Sequence, residues 1–94
     1  MRQEPRQALK TVKSRARANA FTYSQHAFEL MVDSSIYEED IKRAFSTARL
    51  VGVHYDGRTR THYVLEGFGM DESALVLVCS LQRRLVEVVD LYWA

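Results

Sequence analysis

Phe21-Thr22-Tyr23-Ser24-Gln25-His26-Ala27, followed by Ile36-Tyr37-Glu38-Glu39-Asp40-Ile41, decides how the rest of the chain is read. The aromatic and β-branched trio Phe21-Thr22-Tyr23 favours extended backbone. Ser24 is a good helix N-cap, because its hydroxyl oxygen can accept an otherwise unpaired N–H of the first turn. Ala27, Leu30 and Met31 then fall at helical spacing, with Phe28 and Val32 flanking, which predicts a helix over about 24–33. A second helix is expected over about 37–47, with Ile41, Ala44, Phe45 and Ala48 as its buried stripe. Two caps are open for it. Ser35 with Glu38 makes a capping box, whereas Tyr37 as cap would let Ile36 pack on Ile41. In either case Glu38, Glu39 and Asp40 suit the positive helix start and read as structural acids.

Four strand-like runs follow: Leu50 to Tyr55, Thr61 to Phe68, Ala74 to Leu81 and Leu85 to Tyr92. Asp56-Gly57 is a strong hairpin signal between the first two. The Ala74 run is apolar on both faces, which places it centrally. Short sequential connections predict an antiparallel meander. The expected fold is α+β, two short helices on one face of a four-stranded antiparallel sheet, with an additional N-terminal basic helix or arm. In the first hairpin, Val51, Val53 and Tyr55 are expected to share a face with Thr61, Tyr63 and Leu65. The other face then collects His54, Arg58, Arg60 and His62, a concentration of imidazole and guanidinium away from the apolar side.

Ninety-four residues suit one domain, 47% hydrophobic and 27% charged, which is ordinary globular composition. A chain this short buries a limited share of its surface, so a second copy or a partner subunit would help stabilise it. The single Cys79 excludes an internal disulfide framework. No run is long enough to span a membrane and none resembles a signal peptide, so a cytoplasmic location is expected. The net charge of +1 hides an asymmetry. Residues 1–20 hold Arg2, Arg6, Lys10, Lys13, Arg15 and Arg17 against Glu4 alone, a charge of +5, and residues 21–94 balance it with −4. The organisation expected is therefore a basic arm or helix over 1–20 and a single domain over 21–94. Pro5 suits a first helical turn, and Ala8, Leu9, Val12 and Ala16 give a thin stripe over about 5–18. Such an arm binds a polyanion or an acidic partner; the alternative is an ordinary solvated segment.

Cleaving RNA without a metal needs a base for the 2′-hydroxyl, an acid for the leaving 5′-oxygen and cations at the phosphate. His26, His54 and His62 are the side chains of a type that titrates near neutrality when unperturbed. Arg58, Arg60, Arg83 and Arg84 suit phosphate, joined by Lys10, Lys13, Arg15 and Arg17 of the arm. Tyr63 or Tyr92 could donate a proton or stack a base. Against this, arginines and histidines on an exposed strand face also serve to keep a sheet from aggregating. Three histidines and one cysteine show no metal-ligand spacing, so neither a metal site nor a cofactor is expected. Ser24 and His26 stand two apart and make no nucleophile–base pair. Glu87 and Asp90 are expected on opposite strand faces, which argues against paired carboxylates.

Ser24-Gln25-His26-Ala27 opening a helix, a second short helix beginning near Ile36, and then the strands resemble a family of small bacterial proteins known as domain of unknown function 4258. These are distantly similar to messenger-RNA-cutting toxins of the RelE and MqsR type. The resemblance covers about residues 21–92. It implies a toxin half of a toxin–antitoxin pair, a metal-independent endoribonuclease acting on messenger RNA, with His26 carried over from the family's Ser-x-His-Ala. It also implies an adjacent-gene antitoxin, in the wider family often a small zinc-binding protein. His26 is then either a base or a ring that locks the strand-to-helix corner. The chain departs from the family where arginines are common, holding Glu29, Leu30 and Met31 and then Asp33, Ser34 and Ser35. Two other readings stand beside the enzyme. One is a non-catalytic nucleic-acid- or protein-binding module of the same fold. The other is a self-associating protein, such as a homodimer, suggested by Leu91-Tyr92-Trp93.

Overall fold

The computed structural model describes residues 5–55 and 60–94. In chain order the elements are α1 (Pro5–Arg17), β1 (Phe21–Tyr23), α2 (Gln25–Asp33), α3 (Glu38–Thr47), β2 (Arg49–Tyr55), β3 (Thr61–Phe68), β4 (Ala74–Leu81) and β5 (Val86–Trp93). The α+β class holds, with three helices and a sheet of five strands instead of four. The sheet order is β1-β5-β4-β3-β2, which puts the doubly apolar β4 in the centre. The strands β2 to β5 form the antiparallel meander, but β1 adds to β5 in parallel, pairing Phe21 with Val86 and Tyr23 with Val88. Phe21-Thr22-Tyr23 was legible as extended. Its place in the sheet was not, because the partner lies more than sixty residues away in the chain.

All three helices lie on one face of the sheet. Val12 and Ala16 of α1, Ala27 of α2, and Ile41, Ala44 and Phe45 of α3 share a single core cluster with Leu65, Leu75, Leu77, Cys79, Val86, Val88 and Leu91. The basic N-terminal segment is thus a packed helix from Pro5 onward. Asn19 ends it in the left-handed region that short polar residues tolerate (φ 59°). Burial holds the Cys79 thiol strongly toward its protonated form, as expected of a small core residue. Among the described residues no helix is long and apolar enough to cross a membrane.

Ser24 caps α2, its Oγ accepting from Ala27 N–H at 3.0 Å. The helix ends in a Schellman arrangement, with Ser35 N–H donating to the Val32 carbonyl and Ile36 N–H to that of Met31. Ser35 is therefore spent in a left-handed conformation (φ 53°), and Tyr37 is the N-cap of α3. Tyr37 N–H is met by Asp40 Oδ2 at 3.1 Å, and the other oxygen of Asp40 accepts Met70 N–H at 2.9 Å. One acid of the helix start thereby also anchors the β3–β4 turn.

The first hairpin keeps the expected pairing of Val53 with Tyr63 and His54 with His62. Closer to α3 it departs from it. A bulge between Leu50 and Gly52 makes Leu50, not Val51, the partner of Leu65. Leu50 packs against the core, while Val51 and Val53 remain exposed on β2, one of the two edge strands. The Asp56-Gly57 turn signal and Arg58 lie outside the described residues. At the C-terminus Leu91 is fully buried and the Trp93 indole donates to the Ser34 carbonyl at 3.1 Å. Of Leu91-Tyr92-Trp93, only Tyr92 stands well exposed.

Candidate functional site

The sheet face opposite the helices carries the polar chemistry. Its layout follows from alternation along β3: Tyr63 and Leu65 point into the core, so His62, Val64 and Glu66 point away. Three rows cross the strands on this side. Arg49, Glu66, Val76 and Tyr92 form one, and Gly52, Val64, Val78 and Asp90 the next. The third contains the cross-strand pair His54–His62 and the pair Ser80–Glu87, with His62 one step beyond the Tyr63–Cys79 pairing toward Ser80. The valines make an apolar floor between two polar margins. Val76 is only 6% exposed although no helix covers it, since its cross-strand neighbours Glu66 and Tyr92 flank it.

Glu87 and Asp90 share this face, contrary to the expectation from parity. A bulge in β5 pairs Val88 with Cys79 and Asp90 with Val78, leaving Val89 as the extra residue. Ser80 and Val78 are two apart on β4, so their partners Glu87 and Asp90 point the same way. Along the strands the two rows are separated by about 7 Å.

At one margin, Arg60 donates to Glu87 Oε1 at 3.1 Å, and Gln82 bridges Ser80 Oγ (3.0 Å) and Glu87 Oε1 (3.4 Å). His54 is exposed and His62 half-buried beside them. Arg49 pairs with Glu66 at 3.0 Å on the same side. Arg49 and Arg60 therefore both have carboxylate partners. At the other margin, His26 Nε2 stands 3.4 Å from Asp90 Oδ1. His26 reaches the face from its edge, because β1 is short and α2 begins beside β5.

The structure divides the sequence-derived candidates into groups. His54, His62 and Arg60 cluster at the β2–β3 end of the face, and Tyr92 shares its Asp90 margin with His26. Since β4 and β5 separate His62 from His26, the two lie about 10 Å or more apart. Arg83 and Arg84 are exposed in the turn between β4 and β5. Arg15 is not a free cation: its guanidinium donates to the Gln82 and Leu85 carbonyls at 2.9 and 3.1 Å, fixing that turn on α1. Lys10 and Arg17 are exposed and Lys13 half-buried on α1, on the helix side of the sheet. Tyr63 is buried in the core, which removes it as a proton donor on the open face. Asp90 and Glu87 are the residues that the sequence reading set aside, on the parity argument that the bulge overturns. The available signal was a lone acid inside the apolar run Val88-Val89-Asp90-Leu91. Among the described residues no three His, Cys, Asp or Glu side chains assemble as a metal cluster.

The chain belongs to the family described as Domain of unknown function (DUF4258), whose family model matches residues 23–93. The matched span begins at Tyr23, just before the α2 cap, and runs through β5, so it takes in every residue of the open face and leaves α1 outside. No curated protein and no solved structure matches the chain.

Proposed function

We propose that this member of the DUF4258 family is the toxin component of a toxin–antitoxin pair. It acts as a metal-independent endoribonuclease on messenger RNA, with the uncovered sheet face as its working surface. The reading rests on one observation: all three histidines of the chain stand on, or at the border of, the single sheet face that no helix covers. A single RNA strand fits such a face. Val64 and Val78 offer apolar floor for bases, Tyr92 a ring to stack on, and the imidazoles groups for proton transfer. The likeness to RelE and MqsR toxins points the same way. In this reading an antitoxin encoded nearby, such as a small zinc-binding protein, covers the face in the resting pair.

A second reading has its own support. Arg49 and Arg60, two cations of the face that could meet a transition-state phosphate, are already paired with Glu66 and Glu87. That pairing favours a binding module that holds RNA or protein without cutting it. Incubating the purified protein with single-stranded RNA in EDTA separates the two. Discrete cleavage products, together with growth arrest when the protein is induced alone in bacteria, support the enzyme. Retention of intact RNA supports the binding module, and no interaction with RNA removes both nucleic-acid readings.

A further inference from the structure

We infer that His26 is the base of this site, acting through Nδ1, and that Asp90 is the residue that positions it. The inference rests on the RNA-cleavage reading above and assigns the chemistry to the β5 margin of the face, not to His54 and His62.

The β5 margin is built by one serine and one bulge. Ser24 N–H donates to the Val88 carbonyl at 2.9 Å and Ser24 Oγ donates to the Val89 carbonyl at 3.2 Å. The same Oγ accepts from Ala27 N–H at 3.0 Å and so caps α2. The start of α2 is thereby fastened to the two carbonyls of the bulge, and His26 is carried into place with it. The bulge is also what turns Asp90 to the open face. Asp90 Oδ1 accepts Leu91 N–H at 2.9 Å, and this anchored oxygen is the one that stands 3.4 Å from His26 Nε2. The helix start that carries His26 and the Asp90 carboxylate are thus both held by backbone bonds, which brings the two side chains together by design of the fold.

In the arrangement proposed, Nε2, 3.4 Å from the Asp90 carboxylate, holds the ring proton and Nδ1 presents the lone pair. The His26 side chain is 64% exposed, which puts the ring within reach of an incoming RNA strand. In the step proposed, Nδ1 takes the 2′-hydroxyl proton and the 2′-oxygen forms a bond to phosphorus. The bond from phosphorus to the 5′-oxygen breaks, and the leaving 5′-oxygen takes a proton from water. The imidazolium then returns its proton to the hydroxide left behind. The products are a 2′,3′-cyclic phosphate and a 5′-hydroxyl. Tyr92, two residues from Asp90 and exposed, offers its ring to the neighbouring base.

A double-mutant cycle on the full chain tests the assignment. Cleavage of a single-stranded RNA is measured for wild type, His26→Ala, Asp90→Asn, Asp90→Ala and the double variant His26→Ala/Asp90→Ala. Binding of the uncleavable 2′-deoxy oligonucleotide is measured alongside. His26→Ala should lower kcat about a hundredfold or more, the typical worth of a general base. Asp90→Asn and Asp90→Ala should lower kcat about tenfold with KM and 2′-deoxy binding unchanged. In the His26→Ala background, Asp90→Ala should cost nothing further, because a residue acting only through His26 has nothing left to position. Asp90→Asn retains a side-chain acceptor for Leu91 N–H, which keeps the test valid if Asp90→Ala unfolds. Three results would overturn the inference and leave RNA cleavage standing: full activity of the Asp90 variants, additive losses in the cycle, or loss of activity in His54→Gln/His62→Gln with His26→Ala unaffected. A wild-type protein that leaves RNA intact would overturn the cleavage reading and this inference with it.

Discussion

Glu87 and Asp90, an odd number of residues apart on β5, stand on the same face of the sheet because Val89 bulges between them. Strict alternation puts one of two such residues in the core. Here one inserted residue keeps Val88 and Leu91 buried while both carboxylates stay on the open side. The same insertion supplies the carbonyl of Val89 that Ser24 holds. The bulge is therefore both a correction to the core pattern and the seat of the histidine margin.

In the proposed reading, the ion pairs on the open face set how strongly it holds RNA. Glu87→Gln removes one negative charge from the face, beside Arg60. We expect tighter RNA binding and a steeper salt dependence, as the loss of a charge that repels phosphate implies. The pair is partly exposed, so folding stability should change little. Binding isotherms at several salt concentrations check the slope.

The basic helix calls for a different test. Removing α1 would expose the core that Val12 and Ala16 complete, so deletion confounds binding with unfolding. Replacing Lys10, Lys13 and Arg17 with Gln leaves the buried stripe intact and should leave the melting temperature nearly unchanged. If α1 contacts RNA, the salt slope falls by up to about three units; if the open face alone binds, it stays where it was.

Gly67 marks a close approach of α3 to β3. A Cβ there would lie 2.2 Å from the Ala44 carbonyl oxygen, inside any permitted contact and against backbone. Gly67→Ala must push α3 off β3 and should destabilise the fold by about 1–3 kcal/mol, the usual range for overpacking. For a domain of this size that lowers the melting temperature by roughly 4–8 °C per kcal/mol, measurable by thermal unfolding.

Tyr23 sets an alkaline limit. Burial, and then its hydrogen bond to Glu38 Oε1 at 3.1 Å, hold the phenol protonated well above its ordinary range. A proton retained by the folded form stabilises it fully below the unfolded value of about 10 and is lost progressively as pH rises above it. Tyr23→Phe should flatten the fall in stability above pH 10, read from denaturation midpoints across that range.

How far the fold was legible follows from where alternation holds. The limits of β3 and β4 emerged from the residues because an apolar pattern there meets a buried centre and short turns. Parity failed at Val51 and at Asp90, both beside bulges. Bulges arise from the fit of neighbouring strands, and Leu50-Val51-Gly52 and Val88-Val89-Asp90 carry no local sign of one beyond Gly52. The parallel pairing of β1 was hidden for the same reason, being a contact between distant segments. Within the site, His54 and His62 were placed together by hairpin pairing, a local rule. The meeting of His26 and Asp90 depends on how α2 docks against β5, which no spacing in the chain encodes.

The central claim is that the helix-free face is the surface that meets RNA. Titrating the 15N-labelled protein with a short single-stranded 2′-deoxy oligonucleotide, and following amide signals residue by residue, tests it most directly. The account predicts perturbations concentrated at His54, His62, Val78, Asp90 and Tyr92, with the helix side of the molecule largely silent. Perturbations confined to Lys10, Lys13 and Arg17 of α1, or none at any concentration, would contradict it.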